Sequence, residues 1–174
     1  MQSVWTGDPN IDMDTPKSPS DYMTQSEISA ELIIAYRSTE YCVGSLAGSD
    51  TSSSRTFILR IDQRSQPLSR LFVALGHRCA AFSTACNPFS LPQSPELNHA
   101  ACARLRDALI HHTSRPEEIV EGEGRDPSGA WPGEKSFLVL GLDLETSKVL
   151  GGKFEQNAIV WAGADAIPRL VLLR

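Results

Sequence analysis

The residues best suited to chemistry lie between positions 84 and 98, where an apolar segment gives way to polar residues and then to a helix start. Asn87 carries a hydrogen-bond donor and an acceptor, and Thr84 and Ser90 carry hydroxyl groups. Ser94-Pro-Glu96 is typical of a helix N-terminus, whose N–H groups and partial positive charge can hold an anion. The pattern predicts a ligand-binding site made by Thr84, Asn87, Ser90, Glu96 and Asn98.

A purely structural interpretation of the same stretch stays open. Asn87-Pro88 is a common turn pair, and Ser94 can serve only as the helix cap. Glu96 then does no more than complement the positive end of the helix dipole. The two interpretations differ in one respect, which is whether the polar side chains converge on a cavity.

Three further side chains are candidates for the same site. Glu134 precedes a predicted strand and could act as a general base or as a ligand for a cationic group. Gln156 suits recognition of an amide or a base edge, and His99 is the histidine nearest the polar loop. Structural roles are the alternatives: Glu134 pairing with an arginine, Gln156 satisfying loop backbone, and His99 exposed on a helix. If they converge, we expect a pocket of a few hundred Å³.

Known catalytic and metal-binding motifs are not found in the sequence. It contains no G-x-S-x-G, H-E-x-x-H, Walker A or G-x-G-x-x-G pattern. The four cysteines (Cys42, Cys79, Cys86 and Cys102) form no C-x-x-C pair, and we interpret them as reduced, mostly buried thiols. The sequence therefore predicts no metal site, and it leaves cofactor and reaction undefined.

Helices and strands alternate along the chain in the order α-β-β-α-β-α-β-β-α-β-β. Because some strands follow one another directly, part of the sheet must be antiparallel. We predict an α/β (α+β) fold, a layered sandwich of a mixed, partly antiparallel sheet with about four helices. The predicted helices cover residues 26–37, 67–76, 94–112 and 143–154. The predicted strands cover residues 40–44, 56–61, 79–84, 117–122, 136–140, 157–161 and 170–173, with a serine-rich loop at 45–54.

Charge and proline content divide the 174-residue chain into two parts. Residues 1–25 contain three prolines, Trp5, four aspartates and one lysine, which predicts a flexible acidic arm. Residues 27–174 are expected to form a single α/β domain. The whole chain carries a charge of −5, of which the arm contributes −3 and the domain −2. The low charge of the domain does not exclude an anionic ligand.

Composition and charge also limit the cellular location and the classes of binding partner that we expect. No apolar run is long enough to span a bilayer and no secretory signal is visible, so we expect a cytoplasmic protein without membrane association. Five arginines between residues 55 and 78 could form a basic face (Arg55, Arg60, Arg64, Arg70 and Arg78). Without a basic excess over the whole chain, nucleic-acid binding is not favoured.

Several ordered motifs resemble a bacterial family known as domain of unknown function 3293, over about residues 27–174. The resemblance implies a small cytoplasmic protein and places Asn87, Pro88, Glu96, Asn98, Glu134 and Gln156 in the family's pattern. It supplies no activity. Cys86 departs from the aromatic residue expected before Asn-Pro. The motifs are Tyr36–Tyr41, Ala81–Pro88, Glu96–Asn98 with Arg104-Leu105, Glu121–Asp126, Trp131–Glu134, Leu138–Gly141 and Phe154–Trp161.

Two functions of different classes follow from these observations. The first is binding of a small polar or anionic ligand, with or without catalysis, in a cleft between the 87–98 segment, Glu134 and Gln156. The alternative is a protein-interaction module that regulates or inhibits a partner protein, supported by the acidic arm and its Trp5. Nucleic-acid binding ranks third.

Overall fold

The computed structural model of the chain describes residues 27–44 and 56–174. The predicted arm with Trp5 and the serine-rich loop at 45–54 lie outside these ranges. Within them, no helix combines the length and the apolar character needed to cross a membrane. The helices are α1 (Ala30–Ser38), α2 (Gln66–Leu75), α3 (Pro95–Ile110) and α4 (Leu144–Lys153). The strands are β1 (Glu40–Val43), β2 (Phe57–Leu59), β3 (Ala80–Thr84), β4 (Ile119–Arg125), β5 (Glu134–Leu140), β6 (Ala158–Ala162) and β7 (Pro168–Leu172).

The strands form one seven-stranded sheet in the order β2-β1-β4-β5-β3-β6-β7. The α+β class, the antiparallel pairing and the four helices are as predicted. The expected mixture of parallel and antiparallel pairs is not, because all six pairings in the described part of the chain are antiparallel. Three pairs join strands that follow one another directly, and β3 inserts between β5 and β6 antiparallel to both.

Both faces of the sheet are covered, because successive side chains of a strand point to opposite sides. Leu138 and Leu140 of β5 pack in one apolar cluster with Phe72 of α2. Phe137 and Val139 pack in a second cluster with side chains of α3 and α4. The molecule is therefore layered, with α2 on one face of the sheet and α3 and α4 on the other.

Helix α1 begins later than its sequence pattern predicts. Ser26, the predicted N-cap, lies outside the described residues, and Ser29 caps the helix by accepting a hydrogen bond from the Leu32 N–H at 3.3 Å. Ser29 is also followed by an acidic residue, Glu31, in the first turn, so both serines carry the same local signal. Capping at Ser29 leaves Ile28 buried just before the helix.

The hairpin of β4 and β5 differs from the prediction at both ends. Strand β4 follows a short 3₁₀ helix, Pro116–Glu118, and continues to Arg125, into the predicted loop. Strand β5 begins two residues early, at Glu134, which pairs with Gly124. The two strands pair over six positions. This pairing stabilises extended backbone at residues whose types predict a loop. Glu134 is consequently held by the sheet and not by a loop.

Gly122 is a sensitive packing position of the sheet. A Cβ atom there would lie 2.5 Å from the Cys42 carbonyl oxygen and 2.8 Å from the Phe82 ring. We therefore expect Gly122→Ala to lower the free energy of unfolding by about 1–3 kcal/mol, measured by urea denaturation. Gly124→Ala is the matched control on the same strand, because its Cβ would meet only a methyl group of Thr39 at 3.8 Å. Equal stability of the two variants would contradict this packing argument.

Candidate functional site

A cavity of about 620 Å³ opens at one end of the sheet. The last residues of β3 and β4 and the first residues of β1, β5 and β6 reach it, and α1, the 86–95 segment and the start of α3 complete its wall. Its apolar lining includes the aromatic side chains of Tyr36, Tyr41, Phe82 and Trp131. Tyr41 and Phe82 pack edge to face, with their ring centroids 5.4 Å apart.

Six of the eight candidate site residues line this cavity. Glu134 is the carboxylate among them, and Asn87 donates a hydrogen bond from Nδ2 to its Oε1 at 2.6 Å. Asn87 is itself held by Asn98, whose Oδ1 accepts from the Asn87 N–H at 2.8 Å and whose Nδ2 donates to Asn87 Oδ1 at 2.9 Å. The six residues are Thr84, Asn87, Ser90, Asn98, His99 and Glu134.

Burial changes the ionisation of Glu134. Loss of hydration raises the pKa of this carboxyl group above its ordinary value, and the hydrogen bond from Asn87 only partly offsets the rise. Among the described residues, no group donates to the second carboxylate oxygen, Oε2. Glu134 therefore contributes an acceptor with an unused oxygen to the cavity.

A second polar cluster joins α1, the 3₁₀ turn Pro88–Ser90 and β6. The Tyr36 hydroxyl and Ser90 Oγ are 2.6 Å apart. Asn157, which is buried, donates from Nδ2 to both oxygens at 3.1 Å. Tyr36 in turn receives support from Tyr41, whose hydroxyl donates to the Tyr36 carbonyl oxygen at 2.7 Å. Ser90 thus lines the cavity, and its hydroxyl is engaged in holding the wall together.

Thr84 has a positioning role at the end of β3. Its hydroxyl donates to the Lys135 carbonyl oxygen at 2.7 Å and accepts from the Cys86 N–H at 3.0 Å. These two bonds fix the chain as it leaves the strand and turns into the 86–90 segment. Thr84 borders the cavity, but its hydroxyl group already makes two hydrogen bonds within the protein.

Glu96 and Gln156 do not line the cavity. Glu96 lies exposed in the first turn of α3, where backbone and Ser94 hydrogen bonds lower its pKa. Gln156 is buried and donates from Nε2 to the carbonyl oxygens of Cys86 and Phe154, at 3.2 and 3.0 Å. Gln156 therefore supports the loop behind the cavity wall. This is the structural role, satisfying loop backbone, that the sequence left open as the alternative to ligand binding.

The start of α3 has little capacity left for an anion. The Leu97 N–H donates to Ser94 Oγ at 3.3 Å, and the Asn98 N–H donates to the Ser94 carbonyl oxygen at 3.0 Å. Pro95 has no N–H to offer. The remaining positive end of the helix faces the helix's own acid, Glu96. This arrangement removes the main argument for an anionic ligand at this helix.

The 86–90 segment is held in an uncommon backbone conformation. Asn87, Phe89 and Ser90 have φ angles of 48°, 52° and 60°, in the left-handed region. Such angles cost of the order of 1–3 kcal/mol each for residues other than glycine, although asparagine tolerates them best. The Phe89 N–H donates to the Glu155 carbonyl oxygen at 2.7 Å, which helps to hold the turn in place.

Replacement of Asn87 should separate its two roles. Asn87→Ala removes three side-chain hydrogen bonds, to Glu134, Asn98 and the Gln93 N–H, and also places alanine at a positive φ angle. We expect a loss of about 2–4 kcal/mol in the free energy of unfolding, measured by urea denaturation. Asn87→Gly loses the same bonds without the backbone strain, so it should be more stable than Asn87→Ala by roughly 1 kcal/mol. If the alanine variant is as stable as the glycine variant, the strain argument is wrong.

Four residues that line the cavity were not identified as site residues from the sequence. Tyr36 belongs to the apolar stripe of α1, which gives no sign that its hydroxyl joins Ser90 and Asn157. Trp131 lies in a turn-rich loop, where the pattern indicates only a connection. Cys86 and Cys102 are sixteen residues apart in sequence, yet their Sγ atoms are 3.3 Å apart in the cavity wall. No periodicity or motif relates a loop position to a helix position in this way.

The remaining features predicted from the sequence are exposed side chains in the part of the chain that the structure describes. Of the five arginines at 55–78, Arg55 lies outside the described residues, Arg60 pairs with Glu40, and Arg64 contacts Gln66 and Ser69. His99 is exposed at the cavity and has no hydrogen-bond partner among the described residues. In residues 27–44 and 56–174, no group of three or more histidine, cysteine or acidic side chains is arranged to hold a metal ion.

One family model matches the chain, described as "Protein of unknown function (DUF3293)", over residues 84–159. This confirms the resemblance within that segment, which contains all eight candidate site residues. For residues 27–83 and 160–174 the resemblance stays an expectation. No curated protein matches the chain. No solved structure matches it either.

Proposed function

We propose that the domain binds a small organic cation or a neutral hydrogen-bond donor, such as an amine or an amide, in the cavity beside Glu134. The observation that carries the proposal is the half-buried Glu134 carboxylate with one oxygen held by Asn87 and the other open to a ligand. In this arrangement the ligand's N–H group donates to Oε2 and its apolar part fills the rest of the cavity.

The lining of the cavity supports a cation or a donor over an anion. A positive group next to aromatic rings is attracted by their electron-rich faces, and four aromatic side chains line the cavity. Lys135 also borders it, but its Nζ pairs with Glu121 at 3.3 Å. With the helix N–H groups occupied as well, a bound anion would find a carboxylate and few free donors.

Catalysis is a separate question from binding. A carboxyl group with a raised pKa is suited to proton transfer at neutral pH, so Glu134 is the group we would assign as a general base. His99 offers no partnered alternative among the described residues. We restrict the proposal to binding, because no nucleophile with an adjacent base lines the described cavity.

A matched set of three probes tests the proposal. Phenethylammonium, 2-phenylethanol and phenylacetate have an aromatic ring on a short chain and differ chiefly in the polar head group. Affinities of the full-length protein for each probe are measured by ligand-observed NMR. We expect the ammonium to bind about tenfold more tightly than the alcohol, which corresponds to about 1.4 kcal/mol, and the carboxylate to bind least. Tightest binding of phenylacetate would instead support an anionic ligand.

The same experiment bears on the alternative function. If no probe binds, and the protein captures a protein partner through an exposed surface, the interaction module becomes the better proposal.

We also infer that the protein acts in the bacterial cytoplasm. That inference rests on the family resemblance and on its four free cysteines, which suit a reducing compartment.

A further inference from the structure

Two thiols meet in the wall of the cavity. Cys86 follows β3 and Cys102 lies in α3, and their Sγ atoms are 3.3 Å apart. Both residues are buried from bulk solvent, at 6% and 2% exposure, and both line the cavity. The two sulfurs also share one neighbour, the Lys135 carbonyl oxygen, at 3.7 and 3.6 Å. A small molecule that enters the cavity can therefore contact two adjacent thiol groups.

We propose that Cys86 and Cys102 form a modification site, a dithiol that a peroxide oxidises to an intramolecular disulfide. A disulfide needs its sulfur atoms about 2.05 Å apart, so the pair must approach by little more than 1 Å. Hydrogen bonds hold the Cys86 backbone on both sides, from its N–H to Thr84 and from Gln156 to its carbonyl oxygen. Side-chain rotation is then the motion that closes the bond.

The reaction balances with hydrogen peroxide as the oxidant. The Cys102 thiolate attacks one peroxide oxygen, the O–O bond breaks, and the departing hydroxide takes up a proton to become water. The resulting sulfenic acid on Cys102 is attacked by the Cys86 sulfur, the S–O bond breaks, and the Cys86 proton leaves with the hydroxide as a second water. The two sulfurs are oxidised by two electrons in total, and the peroxide is reduced to two waters.

The surroundings of the two thiols favour the same roles, with Cys102 as the attacking sulfur and Cys86 as the thiol that completes the disulfide. The contact with Cys86 lowers the pKa of Cys102, and hydrogen bonds with the Ala85 backbone and Thr84 lower it further, although burial acts in the opposite direction. The same contact and burial raise the pKa of Cys86. Cys102 is thus the sulfur that reacts first with peroxide, because the thiolate is the nucleophile. Cys86 is the resolving thiol.

The other two cysteines provide an internal control. Cys42 Sγ donates a long hydrogen bond to the Glu40 carbonyl oxygen at 3.9 Å, and burial raises the pKa of both Cys42 and Cys79. Neither has a thiol neighbour within hydrogen-bonding distance in the described structure. They should therefore stay reduced while the pair oxidises.

Peptide mapping of the full-length protein tests the proposal without any substitution. The reduced protein is exposed to hydrogen peroxide, quenched, alkylated under denaturing conditions and digested. We expect a loss of two hydrogen masses, a fall from four alkylated thiols to two, and a cross-linked peptide that joins Cys86 to Cys102. Dithiothreitol should restore all four thiols. Random cross-links that include Cys42 or Cys79, or equal oxidation of all four thiols, would overturn the proposal.

Single variants then test the order of the two steps. Cys86→Ser leaves Cys102 without its resolving thiol, so a sulfenic acid that dimedone traps should accumulate on Cys102. Cys102→Ser should give neither the trapped adduct nor the disulfide. Cys79→Ser is the control and should form the disulfide as the natural sequence does. If dimedone instead labels Cys86 when Cys102 is replaced, the assignment of the attacking sulfur is wrong.

Discussion

Glu134→Gln is expected to weaken binding of phenethylammonium by roughly ten- to a hundredfold, because a charge-assisted hydrogen bond contributes about 1.5–3 kcal/mol. The glutamine side chain keeps the shape of the cavity and can still accept the hydrogen bond from Asn87. It lacks the charge that attracts the ammonium. Affinity for 2-phenylethanol should change little. Isothermal titration calorimetry on both proteins measures the effect.

The same substitution should stabilise the protein near neutral pH. Burial holds the pKa of Glu134 above its ordinary value, so the ionised form is less favourable in the folded state than in the unfolded state. The natural protein therefore loses stability as pH rises from the ordinary value of a glutamate through the raised one. Glu134→Gln does not titrate and avoids this loss. In thermal melts from pH 4 to pH 8, the melting temperature of Glu134→Gln relative to that of the natural protein should rise with pH.

Glu145→Gln is the matched control for both effects. Glu145 lies exposed on α4, pairs with Lys148 at 2.8 Å and does not border the cavity. The control makes the same chemical change and the same change in net charge. It should alter neither probe affinity nor the pH dependence of stability. Equal loss of ammonium affinity in the two variants would mean that the probe responds only to overall charge.

Glu118→Ala is expected to destabilise the fold by about 2–4 kcal/mol, because each buried hydrogen-bond donor that loses its acceptor costs about 1–3 kcal/mol. The Glu118 side chain is almost fully buried and accepts hydrogen bonds from the Ser114 and Arg115 N–H groups and from Arg115 Nε. It also contacts His77 Nε2 at 3.1 Å. Removing the carboxylate leaves several donors without their acceptor. Urea denaturation at pH 7 measures the change.

The contribution of Glu118 should disappear in acid. Burial alone would raise its pKa, but the Ser114 and Arg115 backbone groups, the Arg115 side chain and His77 together lower it below the ordinary value. This contribution is present above the ordinary pKa of a glutamate and is lost as pH falls through the lowered folded value. The stability difference between Glu118→Ala and the natural protein should therefore shrink below about pH 4.

Glu117→Ala provides the neighbouring control for Glu118. The Glu117 side chain is exposed and lies 4.0 Å from Arg115, so its loss should change stability by no more than about 0.5 kcal/mol. A comparable cost for the two alanine variants would show that burial of the Glu118 carboxylate is not the source of its effect.

The order of helices and strands followed from the sequence, because apolar spacing and cap residues carry that information locally. Ser94-Pro-Glu96 marked the start of α3, and Gly76 with its positive φ marked the end of α2. Boundaries that depend on strand pairing were displaced, as at β4, where partners on both sides extend the strand to Arg125. Pairing across the sheet is not a local property, so residue spacing does not reveal it.

The geometry of the candidate site was predictable where polar residues cluster in sequence and not where distant elements meet. Asn87 and Asn98 lie in one short stretch, so their proximity could be inferred. Glu134 was named from its residue type and its position before a predicted strand, and its bond to Asn87 arises from the pairing of β3 with β5. Glu96 and Gln156 share the chemistry of site residues, but α3 exposes the first, and the second is buried against backbone carbonyl groups.

The ionisation of Glu134 in the presence of phenethylammonium is the most direct test of the proposed binding. The carboxyl carbon of Glu134 can be followed by ¹³C NMR in labelled protein, with the resonance assigned by its absence in Glu134→Gln. We predict a pKa above the ordinary glutamate value in the protein alone, and a fall in that pKa when the ammonium binds. An unchanged Glu134 titration at saturating probe, with binding established independently, would contradict the assignment of this carboxylate as the ligand's partner.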